Sequence, residues 1–136
     1  YKNIELNYKI CDLNIISDPV LFELMIEQII SNSLKHCGID GKRGILSLYI
    51  ENQNPSVLII EDNGIGISPS DLPKIFDKGY SGLNGRLSEK ATGLGLYLAR
   101  EISERLGCTL TINSLQGEWT RAEVKLGTEI SILTKM

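Results

Sequence analysis

A short apolar run, Val57-Leu58-Ile59-Ile60, ends on Glu61-Asp62 and passes at once into Asn63-Gly64-Ile65-Gly66-Ile67. Such a run bounded by a turn signal reads as a buried strand, and this one delivers a carboxylate to its end. Two glycines one residue apart let the backbone turn tightly and come close to a ligand. A second stretch, Ala91-Thr92-Gly93-Leu94-Gly95-Leu96, opens a helical pattern that continues through Leu106. Thr92 is the candidate N-cap, and the amides after it, uncrowded at Gly93 and Gly95, can point at an anion. A strand-end carboxylate and a bare helix N-terminus suit the two ends of a nucleotide. Taken singly, glycine pairs of this kind mark turns.

A chain of 136 residues is long enough for one domain with a buried core. Its 17 acidic and 14 basic residues leave a net charge of −3. With no basic run anywhere, that balance argues against a domain that coats nucleic acid. Cys11, Cys37 and Cys108 are odd in number and share no metal-ligand spacing, which points to reduced thiols in a cytosolic setting. The longest apolar run falls far short of the ~20 residues that span a bilayer. The chain opens on Tyr1, which reads as a piece excised from a longer protein.

In chain order, Ile4, Leu6, Tyr8 and Ile10 alternate with polar residues, the period of a half-buried strand. Ser17-Asp18-Pro19 reads as a helix start, and the helix is expected to reach about His36, with Gly38 ending it. Most of that helix is apolar, yet Gln28, Asn32 and Lys35 fall at i, i+4 and i+7 and form one narrow polar stripe. A solvated face is the ordinary reading of such a stripe; two amides and a cation suit a metal–phosphate group better. Residues 45–51 and 56–61 make a strand pair around the turn Asn52-Gln53-Asn54-Pro55. Ser68-Pro69-Ser70-Asp71 predicts a short helix to about Phe76. Residues 77–90 show no periodicity and scatter Gly79, Gly82 and Gly85, as a ligand-ordered lid would. The helix from Gly93 sets Leu96, Ala99, Ile102 and Leu106 at core spacing and stops at Gly107. Cys108, Leu110, Ile112 and then Ala122, Val124, Leu126 read as two strands around the turn Gln116-Gly117-Glu118. Ile130 and Ile132 mark a last alternating piece.

Four boxes thus stand in order: Glu27-Gln28-Ile29-Ile30-Ser31-Asn32-Ser33-Leu34-Lys35-His36, Asp62-Asn63-Gly64-Ile65-Gly66-Ile67, Ile75-Phe76-Asp77-Lys78-Gly79 and Thr92-Gly93-Leu94-Gly95-Leu96. They resemble the N box, first glycine box, F box and second glycine box of the catalytic, ATP-binding domain of sensor histidine kinases. That family shares a superfamily with type II topoisomerase ATPases, mismatch-repair ATPases and one class of heat-shock chaperone. The run Lys78-Gly79-Tyr80-Ser81-Gly82-Leu83-Asn84-Gly85-Arg86 further resembles kinases that sense envelope stress and antimicrobial peptides in Gram-positive bacteria. The resemblance covers nearly the whole chain and implies the Bergerat fold. This is an α+β, two-layer α/β sandwich, with a mixed sheet carrying helices on one face and a mobile ATP lid. It implies a single domain over residues 1–136 that binds ATP and Mg²⁺. The γ-phosphoryl group would pass to a histidine on an upstream dimerisation domain, and then to an aspartate on a response regulator. The whole protein would be a membrane-anchored homodimer with this domain in the cytoplasm, itself neither inserted in the membrane nor bound to nucleic acid.

Residue by residue, the resemblance implies that Asp62 accepts the adenine amino group. Asn32 would ligate Mg²⁺ through its amide oxygen and Lys35 would set a point charge on the phosphates; these two are the candidate catalytic residues. Gly64 and Gly66 would hinge the lid, with Ile67 closing their box. The amides of Gly93, Leu94, Gly95 and Leu96, behind Thr92, would cradle the triphosphate. Several positions depart from the family pattern. Gln28 stands where a second asparagine is common and where hydrolytic relatives carry a glutamate base; it cannot take a proton, which favours transfer over hydrolysis. His36, the only histidine, stands where a tyrosine often lies near the base, and both stacking on adenine and a plain surface role are open. Thr120, in Gly117-Glu118-Trp119-Thr120, matches the threonine that assists the aspartate, with Thr128 as a rival. Lys78, Arg86 and Lys90 lie within reach of the phosphates or in a solvated loop. Two other classes share the motifs. One is an ATP-hydrolysing clamp of the topoisomerase, mismatch-repair or chaperone kind; the other is an anti-sigma-type serine kinase.

Overall fold

The computed structural model describes residues 3–9, 13–15, 17–39, 41–51, 56–80, 93–126 and 132–134. Strands β1 (Ile4–Lys9), β3 (Gly44–Ile50), β4 (Val57–Asp62), β6 (Trp119–Lys125) and β5 (Thr109–Leu115) lie side by side in that order. The β1–β3 pair is parallel and the rest are antiparallel, which makes the sheet mixed. Short strands β2 (Leu13–Ile15) and β7 (Ile132–Thr134) form a separate antiparallel ribbon; β7 falls in the expected last alternating piece, while β2 and its pairing were left out of the sequence reading. Three-residue strands are below the length at which alternation carries a signal.

Helix α1 (Pro19–His36) starts where the sequence places it. Asp18 caps it, its carboxylate accepting from the amides of Val20 at 3.0 Å and Leu21 at 3.1 Å. Pro19 occupies the first turn, where its missing N–H costs nothing. Met25, Ile29 and Ser33, four residues apart, form the buried face. Helix α2 (Gly95–Arg105) buries Ala99, Ile102 and Ser103. The two helices pack together over one face of the sheet, where Met25, Ile29, Ala99 and Ile102 share a core with Ile60, Leu110, Ile112, Ala122 and Val124. Strand pairing explains the selection: Leu58, Val124 and Leu110 stand in one cross-sheet row, and Ile60, Ala122 and Ile112 in the next. The expected two-layer sandwich is what forms.

Three expectations are corrected. Helix α2 begins at Gly95 rather than Gly93, with Leu94 at the cap position, because Gly93 takes a left-handed φ of 69° that no helix can include. The predicted helix after Ser68 shrinks to a 3₁₀ turn, Leu72–Lys74. Ser68 does cap, its hydroxyl accepting from the Asp71 amide at 3.2 Å, but Pro73 lacks the N–H that a longer helix needs. On β1, Leu6 and Tyr8 are 56% and 72% exposed, not half-buried, since this edge strand lies beyond the cover of the helices. Cys37 and Cys108 are buried. Ile10, Cys11, the turn at 52–55, the segment 81–92 and residues 127–131 lie outside the described residues.

Candidate functional site

The third cross-sheet row carries chemistry instead of core. Register sets Asp62 opposite Thr120, and Thr120 opposite Ser114, on the face that the helices cover. Asp62 is 2% exposed and Thr120 is 7% exposed, so two polar side chains sit at the edge of an apolar core. The Gly64 amide donates to the Asp62 carboxylate at 2.9 Å, an Asx-type turn that fixes the carboxylate at the strand end. From α1 the Ser33 hydroxyl, itself 4% exposed, lies close enough to the same carboxylate to favour its charged form. Burial pushes the Asp62 carboxyl above the usual carboxylate range, while the Gly64 amide and the Ser33 hydroxyl pull it partly back.

The two glycines after Asp62 let backbone meet backbone. A Cβ at Gly64 would collide with the His36 carbonyl, and the Ile65 amide donates to that carbonyl at 3.2 Å. At Gly66, with φ of 69°, a Cβ would collide with the Leu115 carbonyl. The loop is further tied to the β5–β6 turn by the Gly117 amide on the Ile65 carbonyl at 2.6 Å. The Ile67 amide donates to the Ser114 hydroxyl at 2.6 Å, which in turn donates to the Trp119 carbonyl at 3.0 Å and lies 3.4 Å from the Thr120 hydroxyl. Ser114 is therefore the knot that holds the glycine loop against the strand carrying Thr120.

On α1 the polar stripe survives: Gln28 and Asn32 are half-buried and Lys35 is exposed. Gln28 points across to α2, its amide oxygen 3.3 Å from where a Cβ at Gly95 would stand. Leu94 at the cap position of α2 makes no side-chain cap hydrogen bond. The Leu96 side chain packs on the core. Gly93 has no room for a Cβ against Gly79, and the Gly79 amide donates to the Gly93 carbonyl at 3.1 Å. The F box leans on the same helix: the Arg100 guanidinium lies 5.0 Å from the Phe76 ring centre and the Lys78 ammonium 5.8 Å from that of Tyr97.

The structure thus gathers Asp62, Gly64, Gly66, Ile67 and Thr120 at one end of the helix pair, with Asn32 and His36 flanking Ser33 on α1. Gln28, midway along α1, meets the start of α2 at Gly95, which Gly93, Leu94 and Leu96 flank in sequence. Thr92, Arg86, Lys90 and Thr128 lie outside the described residues. Sequence reasoning missed Ser33 and Ser114. Each had a legible signal: Ser33 continues the buried Met25–Ile29 face, and Ser114 continues the inward alternation of Leu110 and Ile112.

A helix pair over a mixed sheet, with a buried carboxylate at one strand end and a glycine-flanked helix start, is a nucleotide-binding kind of α/β sandwich. The chain belongs to the family of histidine kinase-, DNA gyrase B- and HSP90-like ATPases, whose model matches residues 17–130. It is 32% identical over 143 aligned positions to the sensor histidine kinase YxdK of Bacillus subtilis, covering 100% of this chain and 42% of that protein. It is 37% identical to the sensor histidine kinase GraS of Staphylococcus epidermidis, covering 85% of this chain and 32% of that protein. The chain therefore spans less than half the length of these relatives. Among solved structures, the mycobacterial sensor histidine kinase MprB superposes with a TM-score of 0.75 at 18% identity, over 98% of this chain and 85% of that one. The catalytic domain of the histidine kinase ThkA gives 0.68 at 18%, over 92% and 82%. At these identities the superpositions establish the fold.

Proposed function

We propose that this domain binds ATP with Mg²⁺ and passes the γ-phosphoryl group to a histidine on another segment of its parent protein, as the catalytic domain of a two-component sensor kinase. One observation supports the reading most: the Asp62–Thr120–Ser114 row, in which a buried carboxylate is followed across the sheet by the buried Thr120 hydroxyl and the half-buried Ser114 hydroxyl. Asp62 accepts from the adenine amino group, and Thr120, beside it in register, adds a hydroxyl. The α2 amides hold the phosphates and the Lys35 ammonium neutralises their charge. Among the described residues no cluster of three or more His, Cys, Asp or Glu exists to hold a metal. Mg²⁺ takes one or two protein oxygens and completes its shell with phosphate and water, and in this reading Asn32 supplies one. Bound there, the metal would offset phosphate charge during transfer.

His36 ends the helix that carries Asn32 and Lys35, which supports an acceptor histidine in the remainder of the parent protein. A dimerising helical domain on the N-terminal side, a response regulator as the next acceptor and a membrane anchor complete the proposal. No helix among the described residues is long and apolar enough to cross a membrane. With Gln28 where hydrolysis needs a base, the isolated domain binds ATP and barely turns it over. Titration calorimetry with ATP and Mg²⁺ tests binding, and absence of heat from folded protein refutes it. Transfer is tested by following γ-labelled phosphate onto the parent protein; acid-labile label on a histidine is the expected outcome, and free phosphate without it favours the hydrolytic clamp.

A further inference from the structure

We infer, resting on the nucleotide reading above, that Arg121 is a positioning residue for the site. From the outer face of the sheet it grips Glu61, and so clamps β4 to β6 beside the row that carries Asp62 and Thr120. Strand alternation puts clamp and site back to back. Glu61 pairs with Arg121 in register and Asp62 with Thr120 in the next row, and successive residues of a strand point to opposite faces. The helices cover the Asp62 face. Glu61 and Arg121 lie on the other, with side chains 27% and 38% exposed.

Side chains from three strands make the clamp. The Arg121 guanidinium donates twice to one Glu61 oxygen, from Nε at 3.2 Å and from a terminal nitrogen at 2.9 Å. The Tyr49 hydroxyl on β3 donates to the other Glu61 oxygen at 3.3 Å. The Trp119 ring centre stands 5.5 Å from the guanidinium, a cation–π contact that restricts where the Arg121 side chain can swing. Position gives this grip its leverage. β4 ends at Asp62 and β6 begins at Trp119, so Glu61 and Arg121 stand within two residues of where both strands stop. Toward β3 the backbone ladder continues past Asp62, with the Asn63 amide donating to the Ile45 carbonyl at 3.2 Å. Toward β6 the chain leaves the ladder for the glycine loop, so a side-chain tie at that seam bears directly on the spacing of Asp62 and Thr120. Arg121 does this without touching the ligand.

The test is titration calorimetry with ATP and Mg²⁺ on the purified domain, at a temperature where thermal melting shows each variant fully folded. A partly exposed ion pair adds little to global stability, so its loss reads out in affinity instead. Arg121→Met keeps the length of the side chain and removes the fork; it is expected to weaken ATP binding about fivefold. Arg121→Lys keeps the charge without the fork and should lose less; it carries the comparison if Arg121→Met does not fold. In a Glu61→Gln background Arg121→Met should change affinity by less than about twofold, because the grip is already gone. Unchanged affinity in the folded Arg121 variants makes the clamp merely structural and overturns the inference. So does an equal loss with and without Glu61, since Arg121 would then not act through that carboxylate. Failure of the wild-type domain to bind ATP would instead refute the nucleotide reading, so the two failures are told apart.

Discussion

Asp62 is placed where stability and function pull apart. Its folded pKa is raised, chiefly by burial, so the charged form opposes folding. The sign follows from linkage: this group's contribution to stability is fully present below the unfolded pKa of about 3.9 and is lost as pH rises through the folded value. Asp62→Asn keeps the shape and lets the Gly64 amide still donate to an oxygen. At pH 7 and without nucleotide the variant is expected to melt higher than the wild type, and the gap should close as pH falls through the folded pKa; a scan of melting temperature against pH checks it. The same change should weaken ATP binding at least tenfold, ~1.4 kcal/mol, by replacing a charge-assisted bond with a mismatched one. For Asn32→Ala the expected outcome is loss of the magnesium dependence of binding, read by titrating ATP with and without the metal. Lys35, Asn32 and Asp62 were all legible as residues. The Ser33 hydroxyl on Asp62 was not, because a contact between helix and strand has no local spacing to betray it.

Between elements, the glycine loop acts as a seat for two neighbours. Gly66 combines a left-handed backbone with contact against the Leu115 carbonyl, so a side chain there meets both strain and collision. Gly66→Ala should cost about 3 kcal/mol, from ~1–2 of backbone strain and ~1–3 of overpacking. Gly117, with φ of 85° and open space around it, should cost only about 1 kcal/mol as alanine. Denaturant unfolding of the two variants side by side tests the ordering. The outer face of the sheet offers a contrast: the Arg121–Glu61 pair at 2.9 Å is partly exposed and adds at most ~1 kcal/mol. Turn chemistry let the sequence announce both glycines as special. Which backbone each one meets depended on α1 and the β5–β6 turn arriving from distant parts of the chain. The 3₁₀ turn at Leu72–Lys74 and the late start of α2 teach the same lesson: Leu94, not Thr92, takes the cap position of α2, and Pro73 and the contact of Gly93 with Gly79 decided the lengths.

For the whole molecule, the helix pair and the sheet form one core, and the site lies along its rim. Ligand binding should therefore stabilise the entire domain. ATP and Mg²⁺ at a hundred times the dissociation constant are expected to add ~2.7 kcal/mol, and tenfold weaker binding in Asp62→Asn should halve that rise at the same concentration. Thermal shift measures both. By itself the sequence determined the order of strands and helices, the amphipathic faces and the four boxes, because periodicity, caps and turn residues act over a few neighbouring positions. Only the tertiary structure decided that Thr120 stands across from Asp62, that Ser114 ties the loop to that strand, and that Ser33 reaches the carboxylate from the helix above. Those pairings join residues 29 to 58 positions apart, and burial in a common core, not any local preference, brings them together.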